Sequence, residues 1–275
     1  MTRHPARVLL LLSLMTALTG AACRPLPVRS AATVHAQDLP TDPQALQMVA
    51  EEYIAKGDRI SLENALVALD KYRRLEPKSI EPLWRTSLVA FLLADTAGPE
   101  RKRRAYFADL GERQARAAIA LAPTRVEGHY YLAINMGYTA QSKSFIRRLG
   151  ALDLVPEIQK EGKIALMIDP RFDHAGPHRL LGALYLRAPG WPASIGDPEE
   201  ALMHLMSAVE IDPSYPENHL YLAEALLANN RVADAAREVD KVLTLEPEAQ
   251  TTWAQRLPRW QMEAEALKKR IRNRR

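Results

Sequence analysis

The sequence contains a single cysteine, Cys23, among 275 residues. No intramolecular disulfide can form, so stability has to come from packing. Glycine is sparse, with 12 residues, and runs of alternating β-branched residues are missing, while alanine and leucine dominate. That balance excludes a sheet protein and points to helix throughout. No stretch approaches eighteen consecutive apolar residues, so nothing reads as a membrane-spanning helix. There is also no G-x-S-x-G elbow, P-loop or G-x-G-x-x-G, and Ser194, between Pro192 and Gly196, lacks the nucleophile-elbow spacing. His174 and His178 are four apart, as a helical metal pair would be, but Gly176 and Pro177 lie between them and make a loop or helix start the expectation. The chain is therefore read as no enzyme, with no cofactor and no metal.

What is present begins with a leader. Arg3 and Arg7 precede an apolar core from Val8 to Leu18 and small residues Gly20, Ala21 and Ala22. This is the layout of a secretory signal peptide over residues 1–22, with a core too short to span a bilayer. Cys23, directly after the small residues, resembles the bacterial lipobox cysteine, which is lipidated and becomes the new N-terminus. The alternative is ordinary cleavage after Ala22, leaving an unpaired thiol in an oxidising compartment. Loss of Arg3 and Arg7 lowers the formal charge from +4 to +2, and an exported chain is a poor candidate for nucleic-acid binding. Residues 23–43, rich in Pro, Ala, Ser and Thr, are expected to form a flexible tether. The expected location is the bacterial envelope, with the chain lipid-anchored and facing the periplasm. Arg24, in place of the aspartate that often retains such lipoproteins in the inner membrane, favours the outer membrane.

After the tether a motif recurs: LEP ending at Pro77, LAP at Pro123, IDP at Pro170, IDP at Pro213 and LEP at Pro247. The intervals are 46, 47, 43 and 34 residues, and the last equals the tetratricopeptide period of about 34 residues. Twelve, eight and five residues before each proline stand Ala65, Leu69, Tyr72; Gly111, Ala115, Ala118; Ile158, Gly162, Ala165; Ala201, Leu205, Ala208; and Ala235, Val239, Val242. All are small or apolar and form one helical stripe. Leu181, Gly182 and Tyr185 match the L-G-x-x-Y core of a tetratricopeptide first helix. Residues 44–247 therefore resemble the tetratricopeptide repeat family. The expected fold is all-α, a solenoid of helical hairpins, with insertions of 12, 13 and 9 residues mainly between the helices of a repeat. Residues 248–275 are expected to supply a capping helix, from about Leu257 to Ile271, and a basic tail.

Within the third insertion and the helix after it, Pro192, Gly196, Asp197 and Ala201 are similar to the T component of TRAP transporters, a family of periplasmic lipoproteins. That resemblance implies an all-helical body that partners a solute-binding protein, with an internal channel for an apolar or organic-acid ligand. A looser similarity, over HYYLAINMGY to IDP, is to the regulator-of-microtubule-dynamics family, whose microtubule role the bacterial-type leader argues against. Asp197 before Pro198 also reads as a plain helix cap.

First helices line the concave side of such a solenoid, so Tyr130, Tyr131, Tyr138, Tyr185 and Tyr221, with Trp191 on the third insertion, are the candidate ligand or partner contacts; most are expected in the core. The basic run Arg101, Lys102, Arg103 and Arg104 is the candidate charge patch for anionic lipid or an acidic partner, against the plain alternative of a solvated face. His129 and His219 each stand six residues after a closing proline and read as packing residues. Two functions follow: a transport accessory of the T-component kind, or an envelope assembly scaffold that binds peptides or folded partners in an open groove.

Overall fold

The computed structural model describes residues 33–142, 153–246 and 253–274. Cys23, the leader and residues 24–32 of the expected tether lie outside them, as does most of the second insertion. Among the described residues the regular structure is eleven α-helices and two short 3-10 turns. In chain order they are α1 (Pro43–Lys56), α2 (Arg59–Leu75), α3 (Glu81–Asp95), α4 (Arg101–Leu121), α5 (Val126–Ser142), α6 (Val155–Ile168), α7 (Phe172–Arg187), α8 (Pro198–Ile211), α9 (Pro216–Ala228), α10 (Val232–Thr244) and α11 (Leu257–Arg272).

Local chemistry fixes many of the ends. Asp42, Asp58 and Asp197 cap α1, α2 and α8, each side chain accepting from backbone N–H groups of the first turn. Proline occupies the first turn of α1, α3, α6, α8, α9 and α11, where its missing N–H leaves no bond unmade. Gly57, at φ 68°, takes the left-handed position that ends α1.

Successive helices pair as hairpins, α1 with α2 through α9 with α10, and α11 packs on α9 and α10. All fifteen stripe residues are buried. They face the first helices, and where the stripe residue is glycine the approach is closest: a Cβ on Gly111 would lie 2.2 Å from Asn135 Oδ1. The largest apolar cluster joins α9 and α10 to Trp253, Leu257, Trp260, Leu267 and Ile271 of the C-terminal segment.

Two expectations about boundaries change. Residues 33–39 of the expected tether lie on α2: the Thr33 and Val34 amides donate to Asn64 Oδ1 at 2.8 and 3.2 Å, Lys71 Nζ donates to the carbonyls of Ala36 and Leu39, and Leu39 is buried. The first insertion lengthens a helix more than a loop. Only Thr96–Glu100 separates α3 from α4, and the basic run forms the first turn of the 21-residue α4.

Candidate functional site

The first helices of the hairpins touch one another in series, α3 with α5, α5 with α7, α7 with α9 and α9 with α11, and among the described residues no comparable contact joins the second helices. The first helices therefore form the inner, concave row. Aromatic rings run along it. Trp84 stacks on Tyr131, Phe91 meets Tyr138 at 5.6 Å, Phe172 stands edge-on to Tyr130 and Tyr131, and His174 stacks on Tyr215 at 4.3 Å, with Trp253 and Trp260 beyond.

The predicted aromatics separate within this frame. Tyr130 and Tyr131 are buried in the row, and burial pushes both phenols well above their ordinary pKa. Tyr138 and Tyr221 are half-buried. Tyr138 donates to Asp95 Oδ1 at 2.7 Å, and the Tyr221 ring lies 4.9 Å from the guanidinium of Arg187, whose side chain is half-exposed. Tyr185 faces the second helices instead, its hydroxyl accepting from Gln159 Nε2 and its ring stacked on His204. Trp191 projects from the α7–α8 loop at 88% exposure. The four residues of the basic run differ in setting: Arg101 and Lys102 are exposed, but Arg103 is buried against Glu63 and the Phe107 ring, and Arg104 donates to the Gly98 carbonyl.

At the centre of the row is a buried arginine. Arg179 Nη1 donates to the His174 carbonyl at 3.0 Å and to Asn218 Oδ1 at 2.9 Å, and Nη2 donates to the carbonyl and carboxylate of Asp173; Nε lies 3.3 Å from Glu217. Burial works against its charge, but Tyr130, Glu217, Tyr215 and Asp173 outweigh it and hold the guanidinium protonated. The acceptors are supplied by an unusual turn: Asp173, His174 and Ala175 all have positive φ, at 48°, 57° and 64°. Its cause is in the repeat spacing. Leu132 and Leu222 stand nine residues after Pro123 and Pro213, whereas Leu181 stands eleven after Pro170, and the left-handed turn absorbs the two extra residues. Side chains in this region cost of order 1 kcal/mol each, which the arginine bonds offset.

The C-terminal segment completes the inner face. Arg256 Nη1 donates to the Tyr215 hydroxyl at 3.2 Å, and its guanidinium lies 4.6 Å from the Trp260 ring. Arg259 pairs with Asp95 of α3, Nη2 to Oδ1 at 3.0 Å. Gln255 reaches the α1–α2 turn, its Oε1 lying 3.8 Å from where a Cβ on Gly57 would stand. Burial works to raise the Asp95 pKa, but the hydrogen bond and charge of Arg259 and the Tyr138 hydroxyl outweigh it, so the carboxyl lies below its ordinary value.

His129 and His219 form the same clamp twice. Each Nε2 bonds the carbonyl of its closing proline, Pro123 or Pro213, and each Nδ1 bonds a glutamate, Glu161 at 2.5 Å or Glu238 at 2.6 Å. Both glutamates stand nine residues before the next closing proline, and the residue at that place before Pro213 is His204. In this third copy His178 Nδ1 lies 3.0 Å from His204 Nδ1. His174 is held apart from this pair, with Nδ1 2.7 Å from Asp212 Oδ2. Among the described residues no group of three His, Cys, Asp or Glu side chains is arranged to hold a metal ion.

Solved structures of similar fold carry the same architecture. A thermophilic tetratricopeptide protein of Thermus thermophilus superposes at TM-score 0.60 with 18% identity, covering 82% of this chain and all of the other. PilF of Pseudomonas aeruginosa superposes at 0.51 with 15% identity, covering 83% of this chain and 88% of the other. A tetratricopeptide-repeat profile matches residues 196–255. The fold is a tetratricopeptide-type solenoid. A second profile, described as regulator of microtubule dynamics protein 1-3, matches residues 49–184. No curated protein matches the chain. At these identities the likeness to the solved structures is one of fold.

The polar residues of the solenoid's inner face, Asp95, Arg179, Arg187, Glu217, Arg256 and Arg259, are not among the residues that sequence reasoning selected. One signal for Arg179 exists: aligned on Leu132, Leu181 and Leu222, it occupies the place of Tyr130 and Leu220, a charge where the other repeats are apolar.

Proposed function

We propose that this chain is a non-catalytic interaction scaffold of the bacterial envelope, exported by its leader, anchored through lipidated Cys23, and holding a segment of a protein partner against its inner face. Tetratricopeptide folds generally mediate protein contacts. The observation that carries the reading is the chemistry of the inner face, where Arg187, Glu217, Tyr221 and Glu224 remain half-buried or more exposed. Such a lining suits a polar, charged peptide better than an apolar solute. The test is a photo-crosslinking residue at Tyr221, with a second at Met206 on an outer helix as control, in the native host. Capture of one defined protein from position 221 and not from 206 supports the scaffold; capture from 206 alone overturns it.

A second reading, the transport accessory of the T-component kind with a solute-binding protein as partner, is favoured by the aromatic rank Trp84, Tyr131, Phe91 and Tyr138 along the same face. Native mass spectrometry of the body purified from its host separates the two. A co-purifying small organic acid or apolar molecule that is lost in Tyr138→Ala supports transport, and an empty body with a bound protein supports the scaffold.

A further inference from the structure

Trp191 and Met262 are among the most exposed large apolar side chains described, at 88% and 74%. They sit on different elements and differ in setting. Trp191 is at the tip of a loop that is already rigid. The Gly196 amide donates to the Pro189 carbonyl at 2.8 Å, the Ala193 amide to the Gly190 carbonyl at 3.1 Å, and the Asp197 amide to the Tyr185 carbonyl at 3.0 Å. A Cβ on Gly196 would fall 2.0 Å from the Ala188 carbonyl oxygen, so only glycine closes the loop this tightly. The tip residues Pro189, Gly190, Trp191, Pro192 and Ala193 are all exposed and uncharged. The backbone that presents the indole is held by these hydrogen bonds, so the loop needs no ordering on binding, and tryptophan is a frequent interface anchor.

Met262 belongs to a shallow, open groove between α10 and α11. Leu243, Pro258, Met262 and Ala266 form its apolar lining, and Glu265 and Lys269 its charged edges. The two features match in charge. Beside the tryptophan, Asp197, Glu199 and Glu200 open α8, and neither glutamate has an ion-pair partner among the described residues. Beside the groove, the last turn of α11 carries Lys269 and Arg272, with Arg270 already paired to Glu224 of α9.

We propose that the α10–α11 groove receives the Trp191 loop of a second copy of this chain, the indole lying against Met262 and Pro258 and the α8 acids facing the basic last turn of α11. Loop and groove are different patches, so the contact is head-to-tail and repeats until a ring closes or a chain grows. Sulfur–aromatic contact with Met262 adds to the apolar burial.

The test measures the mass of the full chain by light scattering after size-exclusion chromatography over a concentration series, with Trp191→Ser and Met262→Glu alongside. Unchanged helical circular dichroism establishes that both variants fold. The wild type is expected to associate, less strongly at high salt, and each variant to raise the dissociation constant at least tenfold. An equimolar mixture of the two variants is expected to form 1:1 heterodimers, because one intact loop then meets one intact groove and no more. A wild type that stays monomeric, a Trp191→Ser chain that still associates, or a mixture without heterodimers overturns the proposal.

Discussion

Arg259 on α11 binds Asp95 on α3 across 164 residues of chain, and Asp95 also accepts the hydroxyl of Tyr138 on α5. One carboxylate thus ties the C-terminal segment to the first third of the inner row. With Arg256 on Tyr215 and Gln255 beside Gly57, the segment braces the concave face at both ends of the solenoid.

Replacing Asp95 with Asn, or Arg259 with Gln, is expected to loosen this brace. The arginine is half-exposed, so solvent screens the pair, and the loss of stability should be about 1 kcal/mol. The more telling readout is small-angle scattering, in which either variant should show a larger radius of gyration. Because the Asp95 pKa is depressed, its contribution is complete above the ordinary carboxylate pKa of about 3.9 and is lost as pH falls through the lower folded value.

The His178–His204 contact should make the α7–α8 hairpin acid-sensitive. Burial is the larger cause that lowers both pKa values, followed by His204 acting on His178 and by Lys163 of α6 acting on His204; the neighbouring Tyr185 ring and Gln159 carry no charge. A histidine whose folded pKa is depressed contributes stability above its unfolded pKa of about 6.5, and that contribution is lost as pH falls. His204→Glu places opposite His178 the carboxylate that Glu161 offers His129. Urea denaturation at pH 7 and pH 5 should show the wild type losing about 1 kcal/mol more than the variant on acidification.

Gly182 lies where α7 crosses α8, and a Cβ there would stand 2.5 Å from Leu205 Cγ. Leu205 is fully buried, and the near atom is the branch point of its side chain, so it has little room to retreat. Gly182→Ala should destabilise by about 1–3 kcal/mol, seen as a lower melting temperature. An unchanged value would mean that the hairpin opens at no cost.

Ala175 tests the strain in the left-handed turn. At φ 64° its methyl group opposes the backbone, and glycine would relieve that opposition. Ala175→Gly should stabilise by about 0.5–1 kcal/mol, the reverse of the usual effect of a new glycine. Thermal unfolding checks the sign.

The legible part of this structure is its local repetition. The stripe at twelve, eight and five residues before each proline is buried at every position because its offsets span only two helical turns. His129 and His219 hold matching places because each stands six residues after its closing proline, though their glutamate partners lie 32 and 19 residues away. The different settings of the four residues at 101–104 were not legible from their adjacency. Within a helix Arg103 shares a face with Phe107, four residues on, and that face packs on Glu63, so adjacent charges in sequence point in different directions. The polar inner face was not legible, since its groups come from α3, α5, α7, α9 and α11 and meet only through the curvature of the whole array.

By itself, the amino-acid order determined the helices, their caps and the spacing of small residues that lets neighbours approach, since hydrogen bonds and side-chain stripes within one helix extend only a few residues. Tertiary structure alone decided which face became concave, that Arg179 would be buried among carbonyls and carboxylates, and that Arg259 would reach Asp95. Each of those outcomes accumulates small rotations between successive hairpins, a quantity set by packing across helices and encoded at no single position.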